Sequence, residues 1–391
     1  MVLKIFKNLI KSDLFLYLIL MLSLSRILGF YSNYLLILLV PILIQKNILN
    51  FDKRFSYLYI FLFSLFYCIF SYSHNTLDLG DFFYYLLYPT LFYLIGFYVF
   101  KKLSYLNHLA FYFLIISVQS LFFIIPILKD IFSGTLISPD RRFVVGEYEI
   151  AVTLVGVSFG ILSSGFFMFF TKPENKVLKK FQKLFVIQGL FGVLGSVFFV
   201  NRSVIVIVFI NFLFIIILNL YLFQYKRTLK YLLISFLMFV FFLLTPFSNP
   251  IIKAYEAREL NESEGNTFQT GGGRLERWKD GIENIISSPF GGGDSEYFFA
   301  HNLWIDVGKI AGIIPFFFLI FITIRAMISL YKLISNKKLS MFYKTYFTSL
   351  FLSFLLTCFI EPITQGAFQH FLLFILMCGF LQASRMTKHT Y

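Results

Sequence analysis

Long apolar stretches, each about the length of one membrane crossing, follow one another along most of the chain. A helix needs about 20 mostly apolar residues to cross the hydrocarbon core of a bilayer. The sequence predicts about twelve such helices, near residues 12–30, 34–48, 56–73, 82–100, 107–127, 149–170, 181–200, 202–222, 229–247, 300–324, 343–361 and 366–384. This pattern predicts an all-α polytopic membrane protein with a single transmembrane domain over residues 1–391.

Two polar stretches interrupt the apolar pattern and are predicted to be loops on the outer side of the membrane. The first covers about 128–148, and the second covers about 248–299, directly before the tenth predicted helix. Five apolar residues of the second loop recur at helical spacing: Leu275, Trp278, Ile282, Ile285 and Ile286. Pro289 and the glycines after it end this pattern. We therefore expect a short amphipathic helix that lies on the outer membrane surface or over a cavity.

Composition agrees with a membrane protein. Of the residues, 58% are hydrophobic and 14% are charged, whereas soluble domains carry about 25% charged residues. Lysines and a long apolar run open the chain, but no small-residue cleavage pattern follows, and further apolar runs come after it. An uncleaved first transmembrane helix is therefore preferred to a signal peptide. The three cysteines lie in apolar runs, with neither metal-ligand spacing nor a disulfide framework.

The distribution of charge predicts the orientation in the membrane. When the loops are assigned alternately to the two sides, one side receives about two thirds of the 34 Lys and Arg residues and few acids. Cytoplasmic loops carry such an excess, so both termini are predicted to be cytoplasmic and the two long loops to lie outside. The net charge of +14 is then largely a topology signal, and no nucleic-acid partner is predicted.

Arginine is unusually common among the basic residues predicted to lie outside. These arginines are Arg26, Arg141, Arg142, Arg202, Arg258, Arg274 and Arg277. Arg258 has acidic neighbours and can form ordinary ion pairs, but Arg202 has none nearby in sequence. Because a planar guanidinium binds phosphate or carboxylate through two hydrogen bonds, this group predicts a site for an anion.

His301 is the predicted general base. It lies at the outer end of the tenth predicted helix, in the same compartment as the arginines, and a histidine can accept a proton near neutral pH. Arginines can stabilise an anionic leaving group such as a diphosphate. Asp306 and Lys309 are three residues apart on one helix face and are expected to pair and to anchor that helix. The sequence has no nucleotide-binding motif, and its other histidines lack polar clusters, so neither a cofactor nor a metal is predicted.

Several segments resemble the signature of the O-antigen polymerase and O-antigen ligase superfamily, which includes the Wzy-type polysaccharide polymerases. They are "RLERW" at 274–278, "SPFGGG" at 288–293, "HNLW" at 301–304 with a glycine at 312, "RRFVVGEYEIA" at 141–151 and "NRS" at 201–203. The predicted topology resembles that family over essentially the whole chain. Glu149 stands where the resemblance would place asparagine, so the family role of that position does not carry over directly.

The resemblance implies a metal-independent glycosyltransferase of the bacterial inner membrane with a periplasmic active site. Its donor would be an oligosaccharide on undecaprenyl diphosphate, and a chain-length regulator protein is an expected partner. His301 would be catalytic, and Arg141, Arg142, Arg202, Arg274 and Arg277 would bind the diphosphate. The glycines would let the loop fold over the diphosphate, and Asn302 would fix the imidazole or hold a sugar. Trp278, Glu149 and Asp306 would support the site.

Three functions remain open at this point. A polymerase would transfer the glycan to another lipid-linked repeat unit, and the chain's span count and arginine-bearing loops favour it. A ligase would transfer the glycan to lipid A-core. A twelve-span transporter of lipid-linked oligosaccharides should show two related halves and polar features near the middle of the membrane, whereas the halves here look unlike.

Overall fold

The structure is a computed structural model of the chain. It describes residues 14–25, 29–45, 56–133, 142–145, 148–198, 202–221, 225–244, 252–253, 274–293, 299–361, 363 and 367–386. The chain folds into two compact units, which are described separately below. The prediction that residues 1–391 form a single transmembrane domain would require the two units to associate, and it stays a prediction.

The first unit comprises Met1–Phe122, Arg274–Leu339 and Cys358–Tyr391. Its helices are α1 (Leu14–Leu24), a 3-10 helix (Gly29–Leu38), α2 (Leu39–Gln45), α3 (Tyr57–Ser73), α4 (Leu79–Lys102), the first part of α5 (Tyr105–Ser133), α10 (Arg274–Ser287), α11 (Leu303–Ala311), α12 (Ile313–Ser335) and α14 (Phe368–Met386). Helix α14 is buried over most of its length and packs most extensively on α4. Helix α12 packs on α3 and α14, and the short α11 joins α10 to α12 and α3.

The second unit comprises Phe123–Gly273 and Ser340–Thr357. Its elements are β1 (Arg142–Val145), β2 (Tyr148–Ala151), α6 (Val152–Leu162), a 3-10 helix (Ser163–Phe170), α7 (Lys176–Phe198), α8 (Arg202–Tyr221), α9 (Tyr225–Leu244) and most of α13 (Met341–Ile360). The amide of Asn211 on α8 donates to the carbonyl of Ser349 and to the hydroxyl of Ser353, both on α13. Such bonds help to hold helices together where no water is present.

The apolar helices identify a multi-pass membrane protein. Within the described part of the chain, four helices are long and apolar enough to cross a bilayer: Leu79–Lys102, Ser203–Tyr221, Ile313–Ser335 and Met341–Ile360. Shorter apolar helices cover Phe15–Leu24, Tyr57–Ser73, Tyr105–Leu121 and Gly156–Phe170. Helical architecture is thus confirmed, whereas the number of twelve spans stays a prediction.

One short hairpin departs from the all-α expectation. Strands β1 and β2 pair antiparallel, with Phe143 opposite Ile150, where the sequence analysis placed the end of the first outer loop and the start of the sixth span. The remainder of that loop lies partly in α5, which ends at Ser133, and partly outside the described residues. Its position outside the membrane stays a prediction.

The tenth predicted span, residues 300–324, is in fact two helices. Helix α11 ends at Ala311, and Gly312 has φ +84°, a left-handed conformation that glycine adopts without steric cost. Helix α12 then continues for 23 residues to Ser335. At about 1.5 Å per residue, nine-residue α11 is too short to cross a bilayer by itself, whereas α12 is long and apolar enough to do so.

The loop that carries the glycine run closes onto this break. The N–H of Ile313 donates to the carbonyl of Pro289 at 2.8 Å, and the N–H of Gly292 donates to the carbonyl of Lys309 at 3.3 Å. Gly291 and Gly292 also have positive φ, +88° and +68°. The glycines therefore let the loop pack against the end of α11, while their expected role in folding the loop over a diphosphate stays a prediction.

Candidate active site

Helix α10 carries three of the predicted site residues on one face. Arg274, Arg277 and Trp278 are partly buried, whereas Leu275 and Glu276 between them are exposed. Residues three and four positions apart are neighbours on a helix surface, so the two guanidinium groups start from the same side of α10. The structure thus has a helix at Arg274–Ser287, where one was predicted, while the position of this loop outside the membrane stays a prediction. Residues 248–251, 254–273 and 294–298 of the loop lie outside the described residues.

Helix α10 is docked on α11. Ile285 of α10 forms an apolar cluster with Ala300 and Ile305, against which Trp278 also packs. A Cβ at Gly281 would collide with the side chain of Ile305, so glycine is needed for this close approach. The docking fixes the arginines of α10 relative to the segment that carries His301.

His301 is held in a strained backbone conformation. Its φ is +57°, which is uncommon for a residue with a Cβ. The carboxylate of Asp306 accepts hydrogen bonds from the N–H groups on both sides of it, from Ala300 at 2.7 Å and from Asn302 at 3.3 Å. Because strained residues persist only where the surroundings determine them, we regard this carboxylate as the clamp that sets the position of His301.

Asn302 serves as the N-cap of α11. Its side-chain oxygen accepts hydrogen bonds from the N–H groups of Trp304 and Ile305, both at 3.2 Å. Its amide nitrogen donates to the carbonyl of Phe359 at 3.3 Å. These bonds engage both ends of the amide, so the structure gives Asn302 a structural task, while its predicted contact with the imidazole or a sugar stays a prediction.

Asp306 and Lys309 each have partners beyond the expected pair. Lys309 Nζ lies 3.8 Å from Asp280 Oδ2 on α10, and Asp306 holds the two backbone N–H groups described above. Burial raises the pKa of Asp306 to about 6, and the backbone hydrogen bonds and Lys309 act against that rise. The two charges of the expected i, i+3 pair do act on each other electrostatically. In addition, Asp306 holds the backbone around His301, and Lys309 links α11 to α10.

We expect Asp306→Ala to lower the melting temperature of the purified protein more than Asp280→Ala does. The first change leaves two buried backbone donors without acceptors, at a cost of about 1–3 kcal/mol each. The second removes one partner of the buried Lys309, but the charge of Asp306 still acts on that lysine, so the loss should be smaller. Thermal unfolding in detergent measures both. Equal losses would mean that pairing with Lys309, and not the clamp, is what matters.

Glu361 completes the site, and the sequence analysis did not identify it. It follows directly after α13 and is 1% exposed. Its Oε1 lies 3.7 Å from Arg274 Nη2, and its Oε2 lies 4.0 Å from His301 Nδ1. A signal was present in the sequence, since Glu361 is the only acidic residue after Asp306. Arg274, Arg277, His301 and Glu361 are called the His301 cluster below.

The electrostatics of the His301 cluster favour a neutral imidazole. Burial, and then the positive charges of Arg277 and Arg274, lower the pKa of His301 to about 4. At neutral pH the ring is thus an available proton acceptor, with a carboxylate near Nδ1 that can orient it.

Two tryptophan rings pack on Phe359, two residues before Glu361. The ring of Trp278 meets that of Phe359 edge to face, with centroids 5.0 Å apart, and Trp304 lies 6.3 Å from the same ring. Trp304 also donates from its indole nitrogen to the hydroxyl of Thr323. These contacts make the surroundings of the cluster rigid and largely apolar, which strengthens the interactions of charges within it.

The structure describes only part of the predicted site. Arg141 lies outside the described residues, as do the side chains of Arg142 in β1, Glu149 in β2 and Arg202 at the start of α8. Their predicted role beside the diphosphate therefore stays a prediction. Among the described residues, no group of three His, Cys, Asp or Glu side chains could hold a metal ion.

Comparison with known families bears on the region that contains most of this site. Residues 189–320 match the family model described as O-antigen ligase. This segment, about a third of the chain, includes Arg202, Arg274, Arg277 and His301, but it excludes Glu361. No curated protein matches the chain. The match supports the O-antigen polymerase and ligase superfamily and confirms the resemblance that the sequence motifs indicated.

Proposed function

We propose that the protein is a metal-independent glycosyltransferase that polymerises oligosaccharide repeat units. It would act at the periplasmic face of the bacterial inner membrane. The donor would be a glycan on undecaprenyl diphosphate, and the acceptor the non-reducing end of another lipid-linked repeat unit. The observation that supports this proposal most directly is the His301 cluster, in which a neutral imidazole lies beside a buried carboxylate and two arginines.

The reaction would follow from these groups. An acceptor hydroxyl attacks the anomeric carbon of the donor, so that a carbon–oxygen bond forms to the acceptor and the bond to the diphosphate breaks. The bonding pair leaves with the diphosphate, whose negative charge Arg274 and Arg277 stabilise. The hydroxyl proton passes to His301. With Nδ1 facing Glu361, Nε2 is the nitrogen that would accept it.

Glu361 would act through the ring and through Arg274. A carboxylate beside Nδ1 favours the tautomer with the proton on that nitrogen, and it stabilises the imidazolium that forms during proton transfer. The same carboxylate lies near Arg274, and it can hold that guanidinium in place before the donor arrives. Glu361 therefore has the role of a positioning residue in this proposal.

Ligation to lipid A-core is the second candidate, and the description of the matched family model as an O-antigen ligase favours it. Both candidates share the donor and the chemistry and differ only in the acceptor. The transporter alternative receives no support from the family match. A chain-length regulator protein would be a partner of the polymerase.

Turnover of a purified lipid-linked repeat unit tests the proposal. The polymerase should lengthen this substrate without any other acceptor, whereas a ligase should require lipid A-core. Activity should persist in EDTA, and loss of activity in EDTA would contradict the metal-independent mechanism. Failure to transfer glycan to either acceptor would overturn glycosyl transfer itself. In cells that lack this protein, lipid A-core that carries a single repeat unit would indicate a polymerase. Lipid A-core without glycan, together with accumulated lipid-linked polymer, would indicate a ligase.

A further inference from the structure

A basic recess lies at the end of α12 that is far from His301. Helix α12 begins at Ile313, close to the His301 cluster, and ends at Ser335. Its 23 residues extend over about 35 Å at 1.5 Å per residue, which matches the thickness of a bilayer core. The recess therefore belongs to the opposite membrane surface and is separate from the candidate active site.

The recess combines cationic side chains with an apolar wall. Its volume is about 450 Å³, and its lining includes Lys332, Lys337, Lys338 and Arg385. None of its lining residues in the described part of the chain is acidic. The turn after α12 is shaped by Asn336, whose side chain accepts a hydrogen bond from the N–H of Lys338 at 3.0 Å. Four cations from α12, this turn and α14 thus face one space.

Topology and helix dipoles account for only part of this arrangement. Lys332 and Arg385 lie in the last turns of α12 and α14, where a positive charge interacts favourably with the helix dipole. Lys337 and Lys338 lie beyond the end of α12, and their charges add to the repulsion within the recess. A bound anion would relieve this repulsion, and a volume of this size lies within the range of ligand sites.

We propose that the basic recess binds the phosphate headgroup of an anionic phospholipid. Arginine and lysine together suit a phosphate, because the guanidinium offers paired donors and each lysine offers a mobile positive charge. Phe100, Leu333 and Leu339 provide an apolar wall against which the first carbons of acyl chains can pack. Basic pockets between helices at a membrane surface bind anionic headgroups in this way. This inference does not depend on the proposed function.

Native mass spectrometry of the detergent-purified protein with phosphatidylglycerol or phosphatidylcholine tests the proposal. The wild type should retain phosphatidylglycerol in preference to phosphatidylcholine. The double variant K337Q/K338Q should bind phosphatidylglycerol about 30-fold more weakly, as expected for the loss of two cations at an anionic headgroup. The matched control is K179Q/K180Q, which removes the same charge from two exposed lysines of α7, and its binding should be unchanged.

Three results would overturn the proposal. The first is equal binding of phosphatidylglycerol by K337Q/K338Q and the wild type. The second is an equal loss in K179Q/K180Q, which would mean that total charge matters and the recess does not. The third is displacement of the lipid by inorganic phosphate at the same concentration, which would show that the recess binds a free phosphate. Unchanged melting temperatures of both variants would exclude unfolding as the cause of any loss.

Discussion

Replacing His301 with asparagine is expected to lower glycan transfer by about 10²–10⁴-fold, the usual contribution of a general base. Asparagine is the informative replacement because His301 has φ +57°, and asparagine adopts this left-handed conformation more readily than most residues. The backbone clamp by Asp306 should then survive, and the loss should reflect the missing imidazole. The measurement is initial turnover of a purified lipid-linked repeat unit by wild-type and variant protein.

A second replacement separates chemistry from backbone strain. His301→Ala lacks both the imidazole and the tolerance for the left-handed conformation, so it should lose as much activity as His301→Asn and also some stability. If His301→Asn transfers glycan at close to the wild-type rate while His301→Ala does not, His301 is important for the turn and not for proton transfer. The assignment of His301 as the base would then be wrong.

The pH dependence gives an independent measurement of the same residue. The active form is the neutral imidazole, and its pKa in the fold is lowered to about 4 from an ordinary value of about 6.5. Activity that depends on His301 should therefore be present at neutral pH and be lost as the pH falls through about 4. A decline centred near 6.5 would show that the ring is far more solvated than the structure indicates.

Replacing Arg277 with alanine is expected to reduce transfer by about 10²–10³-fold, comparable to the removal of one donor that stabilises a developing negative charge. Arg277→Lys should not restore the rate, because lysine cannot supply paired hydrogen bonds to a diphosphate. The same holds for Arg274, although its replacement also removes the cationic neighbour of Glu361. Near-normal activity of both lysine variants would indicate that only charge balance is required.

The chain offers a matched control on the same helix. Lys279 is exposed and forms an i, i+4 pair with Glu283 at 3.9 Å, so Lys279→Ala removes a positive charge from α10 without touching the His301 cluster. We expect its activity to stay within about twofold of the wild type, because exposed pairs contribute little. A large loss in this variant would mean that the overall charge of α10, and not the geometry of its arginines, governs activity.

Arg277 also has a readout that a purely structural residue would lack. Its charge is the largest cause after burial that lowers the pKa of His301. In Arg277→Gln this contribution disappears, so the pKa of His301 should rise and the acid decline of the residual activity should move to higher pH. An unchanged pH profile would indicate that Arg277 does not face the imidazole in the working enzyme.

Local sequence patterns determined the class of this protein and pointed to three of the four residues of the His301 cluster. Runs of about 20 apolar residues require helices in a membrane, since every backbone polar group must be satisfied within the segment. The helical spacing of apolar residues before Pro289 predicted α10, and the positions of Arg274 and Arg277 then place both on one face of it. The motif around His301 was sufficient to indicate the family, because short motifs keep residue types in fixed order along the chain.

Only the tertiary structure revealed how His301 is held and which groups surround it. The apolar pattern continues through Gly312, so it predicted one span where a glycine with positive φ separates α11 from α12. Hydrophobic periodicity responds to the apolar surroundings of a segment, and the residues on both sides of this break are apolar and buried or half-buried. Asp306 was expected to pair with its helical neighbour, because i, i+3 spacing is the nearest partner that a sequence can offer.

Glu361 is the clearest case of a site residue that sequence patterns could not assign. It is 60 positions from His301 in the chain, and its carboxylate lies within 4.0 Å of the imidazole. The sequence shows a lone acidic residue after an apolar run, but it does not indicate which distant residues that carboxylate contacts. Those contacts form because α10 docks on α11 and because α11 lies beside the end of α13. Residue types along the chain therefore set which chemical groups are available to the site, and the packing of helices decided which of them lie together.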